Sequence, residues 1–510
     1  LALGNSYHHL TFNGSGSWTH TGALDINGNL TLTAGTLNSS GQNITLAGNW
    51  LAAGSYTAGG NSVTLDGTAA QAVTSGGQAF NTLAITNAAA VVTFADALSA
   101  ANLTAITPNT QLTFSGGTIN TISNTLNING QASGSRVLLR STNSTPYIFN
   151  VTGGAQTVYF ANIQYSDATG NDITALDSVD SGNNDTAAAS PHWIFLNTTT
   201  LAGTVYIDRG PATVGAGKSV RLLIDGVSAG TAVTNAAGIY TTTLTTAAGA
   251  RLLAYIDGND GALTDATTVT ETAGSDLLNF DLHTNAVVVR HDNGGAVTHA
   301  LMKAALPTVA DSEILYDVAV NDLTITTAGV TLEIPTGESY TPESNATTPR
   351  LIVDGALNAG SNTLEITGTG TPLSGSGTFT PGASTVKYTG TVAATNIAAI
   401  PYHHLWLAPS GATTYSLLGS LSGGNALSGN LIIDVNATLD VTGSNYAIAV
   451  AGNWSNSGSL LAQAGTVSLT GANQSLTGST TFYNLSKVES TNDATDVTLT
   501  FDNTAMQTIN

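Results

Sequence analysis

The feature that most constrains this chain is repetition at two lengths. Tyr7-His8-His9-Leu10 returns as Tyr402-His403-His404-Leu405, Gly28-Asn29-Leu30 as Gly429-Asn430-Leu431, and Gly48-Asn49-Trp50 as Gly452-Asn453-Trp454. The offsets are 395, 401 and 404 residues, so one long unit recurs with small insertions. A shorter module occurs three times. Ser62-Val63-Thr64-Leu65-Asp66-Gly67 precedes Phe80-Asn81-Thr82-Leu83, and Thr385-Val386-Lys387-Tyr388-Thr389-Gly390 precedes Tyr402-His403-His404-Leu405. Thr466-Val467-Ser468-Leu469-Thr470-Gly471 precedes Phe482-Tyr483-Asn484-Leu485. Each is a strand, a turn and an aromatic-anchored strand, with the last Gly and Leu 16, 15 and 14 residues apart.

Short strands about 20 residues apart are each too small to enclose a core, and stacking them as coils of a parallel β-solenoid solves that problem. Runs such as Leu30-Thr31-Leu32-Thr33, Asn43-Ile44-Thr45-Leu46 and Val91-Val92-Thr93-Phe94 alternate apolar and polar residues between Gly, Asn and Ser turns. Period-two alternation puts Leu, Val, Ile and Phe inside and Thr and Ser outside. Leu83 and Leu485 are expected to point inward. A string of separate β-sandwiches is the competing arrangement. Helical spacing is confined to a stretch from Val297 to Leu306, before Pro307.

Composition narrows the classes. Charged residues make up 8% and hydrophobic residues 42%, the reverse of a disordered chain. Eleven Lys and Arg against 32 Asp and Glu give a net charge of −21, which repels nucleic acid and anionic lipid. Apolar runs such as Leu252-Leu253-Ala254-Tyr255-Ile256 are too short for membrane insertion as a helix. With no Cys, disulfides, thiol catalysis and Cys-ligated zinc are excluded. The opening Leu1-Ala2-Leu3-Gly4 and closing Thr508-Ile509-Asn510 are read as those of a segment of a longer precursor or a processed product.

Residues 198–275 differ in texture. Val220-Arg221-Leu222-Leu223-Ile224-Asp225-Gly226 and Arg251-Leu252-Leu253-Ala254-Tyr255-Ile256-Asp257-Gly258 are longer strands, and Thr234-Asn235-Ala236-Ala237-Gly238-Ile239-Tyr240 lies between them. This stretch resembles the immunoglobulin-like sandwiches related to carboxypeptidase regulatory domains, whose turn reads Thr-Asp-x-x-Gly-x-Tyr/Phe; Asn235 stands where Asp is usual. The expected fold class is therefore all-β: parallel β-solenoid (β-helix) segments with an intervening immunoglobulin-like β-sandwich. The expected domains are a solenoid over 1–197, the sandwich over 198–275 and a solenoid over 276–510, subdivided near 350, with 380–510 repeating the texture of 1–110.

Together the repeats resemble giant bacterial β-strand-repeat surface proteins of the filamentous-haemagglutinin-like or adhesin type. The stretch from Tyr165-Ser166-Asp167-Ala168 to His192-Trp193-Ile194-Phe195 looks like closing coils of such a solenoid. The resemblance implies export, an elongated shape and a cell-surface role, and names no ligand.

Candidate sites are few. His8-His9 and His403-His404, read as strand residues, point to opposite faces and favour packing over metal binding. Asp177, Asp180 and Asp185, with Asp167, Asp172, Asn171, Asn183 and Asn184, form an oxygen-rich region that reads as Asx turns, with Ca²⁺ as the alternative. No other cofactor is expected. A second acidic loop runs from Asp257-Gly258-Asn259-Asp260 to Asp265 and lacks the EF-hand pattern. Trp18, Trp50, Trp193, Trp406 and Trp454 are scattered, so packing explains them better than a sugar platform. Arg290-His291-Asp292, near His283 and His299, reads as a salt bridge closing a coil. Gly226-Val227-Ser228-Ala229-Gly230 matches a nucleophile-elbow pattern, but strand-like residues follow the Ser where a helix is needed, so it reads as a hairpin turn.

No catalytic centre is expected. The leading reading is a structural subunit of a secreted filament, sheath or surface layer, whose partners are copies of itself or neighbouring segments of the same giant chain. An adhesin stalk binding glycans or host proteins is the alternative, and a polysaccharide-active β-helix enzyme a weaker one. Thr-x-Thr pairs are not arrayed at fixed coil spacing, so an ice-binding role is set aside.

Overall fold

Alternating residues become vertical columns. The computed structural model describes residues 6–87, 90–186, 189–258, 265–391, 393–488 and 497–509. Strand accounts for 49% of the chain and helix for 2%, and the coils of this all-β solenoid number about 24. The chain divides into two units, residues 1–198 and 199–510.

In the first unit two nine-stranded sheets run through the coils. One includes Leu24–Ile26, Ile44–Leu46, Ser62–Leu65, Ala79–Ile85, Ser99–Ala105 and Ile119–Ile128. The other includes Leu10–Phe12, Leu30–Leu32, Trp50–Ala52, Gln71–Thr74, Val91–Phe94 and Gln111–Phe114. These neighbours pair in parallel, one coil apart. Register places Leu24, Ile44, Val63, Leu83, Leu103 and Leu126 above one another, each at most 5% exposed. Such a residue contributes about 1.5–3 kcal/mol by leaving water. A coil cannot gain this alone, because half of each column contact belongs to its neighbour. Phe94 and Phe114 stack at 4.7 Å with planes 10° apart, so the aromatic column obeys the same register.

The second unit opens with an antiparallel block. Ser219–Ile224 and Val227–Val233 form a hairpin around Asp225-Gly226, both at positive φ (47° and 75°), as a two-residue turn of type I′ requires. The Gly226-to-Gly230 pattern is thus a turn and the start of a strand. Arg251–Ile256 pairs antiparallel with Ser219–Ile224 and with Thr267–Glu271. Thr267–Glu271 then pairs in parallel with Ala286–Val289, which pairs with Thr331–Ile334, Arg350–Val353 and Leu373–Ser374 in turn. One eight-stranded sheet therefore passes from antiparallel to parallel, so the strands expected as a separate sandwich over 198–275 share a sheet with the coils that follow. Leu252, Ala254 and Ile256 face a small core with Leu201, Val220 and Phe280, while Leu253 and Tyr255 face the solenoid core. Burial on both faces explains the unbroken apolar run Leu252–Ile256.

Val287 and Leu332 are register partners 45 residues apart because a helix and a hairpin are inserted between their strands. The helix spans His299–Ala305, within the stretch its spacing indicated. Thr298 caps it by accepting from the Leu301 N–H, and extended Leu306 ends it before Pro307. Pairing runs unbroken past position 350.

Candidate functional site

The two long repeats build the same kind of coil corner, each within its own unit. His9 Nδ1 accepts the backbone N–H of Asn29 (2.8 Å), Asn29 Oδ1 accepts that of Asn49 (3.0 Å), and Asn49 Oδ1 accepts that of Ala72 (2.7 Å). In the second block His404 Nδ1 accepts from Asn430 N–H, Asn430 Oδ1 from Asn453 N–H and Asn453 Oδ1 from Ser475 N–H, each at 2.8 Å. Each side chain reaches one coil onward to satisfy a backbone donor that the turn takes out of the ladder. A Cβ on Gly48 would lie 2.3 Å from the Gly28 carbonyl carbon, and one on Gly452 2.4 Å from that of Gly429. The Gly-Asn pair thus has a mechanical meaning: Gly permits the close approach, and Asn caps the next coil. Gln71 closes the column, donating to the carbonyls of Leu46 (2.9 Å) and Gly48 (2.7 Å); Gln474 donates to those of Val450 (2.9 Å) and Gly452.

This geometry corrects the reading of the His pairs. His8 and His9 lie at the corner between strands, with ring centroids 4.3 Å apart, and those of His403 and His404 are 4.2 Å apart. His403 likewise precedes the strand that opens at His404, so in neither pair do both residues lie inside one strand, and the rings touch. Burial, and after it the neighbouring His403 imidazole, hold His404 below the usual histidine range, as suits a ring that must present an unprotonated Nδ1.

The strands carrying the corner correspond one for one. Leu10–Phe12, Leu30–Leu32, Trp50–Ala52, Gln71–Thr74 and Val91–Phe94 follow one another in sheet order, as do His404–Leu407, Leu431–Ile433, Trp454–Asn456, Gln474–Thr477 and Leu499–Phe501. Register equates Phe94 with Phe501: Phe94 lies opposite Val73, and Phe501 opposite Leu476. Their surroundings differ. Phe94 is 1% exposed and Phe501 51%.

The acidic residues proposed for Ca²⁺ serve different turns. Asp177 accepts from the N–H (2.7 Å) and hydroxyl (3.2 Å) of Thr198. Asp180 accepts from Gly182 N–H (2.8 Å) and Asn184 Nδ2 (2.6 Å), an Asx turn. The Asp185 backbone donates to Ser166 O and accepts from Trp193 N–H. Among the described residues no three His, Asp or Glu side chains are grouped to hold a metal ion. In the second acidic loop Asp257 pairs with Arg221 (3.2 Å), and residues 259–264 of that loop lie outside the described residues.

Trp50, Trp193 and Trp454 are interior; Trp50 packs edge-on against Tyr56 and Phe80. Trp406 donates to Asp434 (2.8 Å) beneath Lys387, and Trp18 packs on Phe12. Arg290 and Asp292 pair at 2.6 Å. A depression of about 590 Å³ beside the helix contains Asp311, whose carboxylate is occupied by the Tyr255 hydroxyl at 2.7 Å.

Sequence reading missed the most buried carboxylate among the described residues. Glu333 is 3% exposed and receives His283 Nδ1 at 2.6 Å and Arg209 Nε at 3.5 Å, while Arg209 also pairs with Asp354. Arg209 and His283 flank the antiparallel block, and Glu333 and Asp354 belong to the coils, so this cluster fastens one to the other. Glu333 sits where an alternating strand places a surface residue; the block covers that face, and no local pattern announces the cover. No family model, curated protein or solved structure matches this chain.

Proposed function

We propose that this chain is a structural repeat protein of an extracellular filament, sheath or cell-surface layer, non-enzymatic and self-associating through β-structure. One observation carries the reading: the residues that recur between the two blocks, His, Gly, Asn, Gln and Trp, are spent on stacking one coil on another. What is repeated is the coil-on-coil contact. Low charge and abundant Thr and Ser on the outer faces suit a product made to stand in water. The antiparallel segment near 199–275 is read as an immunoglobulin-like decoration. Its turn supports this: Asn235, at the position where the resembling pattern has Asp, accepts through Oδ1 from Ala237 N–H (2.9 Å) and Ile239 N–H (3.1 Å), an Asx turn.

Sedimentation velocity and negative-stain electron microscopy of the purified chain test the proposal. Concentration-dependent growth into regular polymers is expected. A chain that stays monomeric at every concentration, or that cleaves a polysaccharide, would defeat it.

A further inference from the structure

Two sheet edges lie open in the middle of the second unit. Among the described residues, Leu373–Ser374 is the last strand of the eight-stranded sheet, and Thr378–Thr380 is the last of a three-stranded sheet with Ser339–Tyr340 and Ala356–Asn358. Coils precede and follow both, so the fold itself leaves these edges uncovered. The cause is a short coil. Register partners in a ten-stranded sheet are 22 residues apart at Leu364 and Val386, 19 at Val386 and Leu405, and 26 at Leu405 and Leu431. The coil that ends in Thr385–Tyr388 has three strands, and the next has two, Thr395–Ile397 and His404–Leu407. Thr395 bridges to Gly370, ahead of Leu373–Ser374. After Ile397 the chain crosses through Ala398-Ala399-Ile400-Pro401 without forming a strand.

The crossing leaves a hole. A cavity of about 260 Å³ is lined by residues that include Val353, Leu373, Phe379, Ala398, Ile400 and Leu418, and no charged residue borders it. The inward column that runs into it is Tyr340, Leu357 and Phe379, in register. Each strand there sets one apolar residue between small neutral ones, Ala356-Leu357-Asn358 and Thr378-Phe379-Thr380. An apolar cavity of about 150 Å³ accepts benzene, so this one has room for a branched aliphatic or aromatic side chain. The open strand edge beside it offers the backbone groups that an added strand would pair.

We infer that this groove receives an extended, uncharged segment of a partner protein, added as a strand to the Thr378–Thr380 edge, with one aliphatic or aromatic side chain seated on Phe379. A charged residue in that place would lose its hydration with nothing to pair it. Ala356–Asn358 and Thr378–Thr380 are already built into this chain's own column, so the segment comes from another chain.

A capped, fluorescein-labelled peptide with the sequence of residues 374–381 is the probe, since it carries Thr-Phe-Thr and no charged side chain. Its fluorescence anisotropy should rise to saturation on titration with the full chain, and the Phe379→Asp form of the peptide should not bind. Leu418→Asp in the chain puts a charge at the groove and should weaken binding about tenfold or more. The thermal melt should stay unchanged, because this side chain is already 48% exposed. Ala398→Leu, which fills the cavity, should lose binding as well. No saturable rise, or equal binding by the Leu418→Asp and unmodified chains, overturns the inference. Loss of self-association in the Leu418→Asp chain would give the groove to a second copy and overturn the partner assignment. A chain that binds the peptide yet stays monomeric at every concentration keeps this inference and defeats the self-association reading.

Discussion

His404 accepts the backbone N–H of Asn430 through Nδ1 at 2.8 Å, tying one coil to the next. A proton on that nitrogen would set donor against donor. Burial already holds the folded imidazole below the ordinary histidine value. The sign follows: above an unfolded pKa of about 6.5 the ring is neutral in both states and its contribution is complete. As pH falls below that value the unfolded chain binds a proton more readily than the folded one, and stability is lost until the folded ring also titrates. Thermal melts should therefore weaken below about pH 6.5, before most carboxylates protonate. His404→Asn keeps an acceptor without the titration and should flatten that limb. Identical acid limbs for variant and wild type would remove His404 from this role.

The corner glycines make a separate prediction. Gly48→Ala and Gly452→Ala each push a methyl group into a backbone carbonyl of the preceding coil. Neither residue has positive φ, so the cost is steric, about 1–3 kcal/mol of overpacking. Gly60 is the contrast: φ is 85° and nothing lies within 4 Å of an added Cβ. Gly60→Ala should cost roughly 1 kcal/mol through backbone strain alone. Denaturant midpoints that rank Gly60→Ala as the worst of the three would contradict the close-approach account.

Leu83 and Leu485 match in the repeat but not in burial. Leu83 is fully buried between Val63 and Leu103, whereas Leu485 lies on Asn484–Lys487, an outer strand, and is half-buried. Leu83→Asp places an unpaired carboxylate in the core at a cost of several kcal/mol. Leu485→Asp can leave its charge in water and should cost a fraction of that. Circular-dichroism melts separate the two, and equal losses would contradict the edge assignment.

These cases mark what the sequence discloses. Alternation at Ile44-Thr45-Leu46 and Val63-Thr64-Leu65 is a local property, and it announces inward columns and a solenoid. Helical spacing over Val297–Leu306 is local too, and the helix His299–Ala305 lies within it. The His pairs misled because strand alternation was applied to neighbours that are not both within a strand: His8 and His9 sit at a corner, and His403 precedes the strand that opens at His404. Glu333 was invisible because its burial comes from a block far away in sequence, and Arg209 meets it only through the fold. The Gly-Asn repeats were visible as letters, and their job appeared once stacking showed which carbonyl each Gly approaches.

Ionic strength probes the proposed self-association. Each chain carries a net charge of −21, so two copies repel wherever they meet. The coil-on-coil contacts of the chain are made by apolar columns and neutral Gly, Asn and Gln, and charged residues make up only 8% of it. Attraction therefore owes little to charge, while opposition owes much to it. Raising salt from about 0.01 M to about 0.15 M shortens the screening length from about 30 Å to about 8 Å, which removes most of the repulsion and leaves the apolar contact intact. Association measured by sedimentation velocity at fixed protein concentration should strengthen over this range and respond weakly to further salt. An interface built on ion pairs would do the reverse. Dissociation on adding salt would show that charges, and not coil-on-coil stacking, hold the copies together.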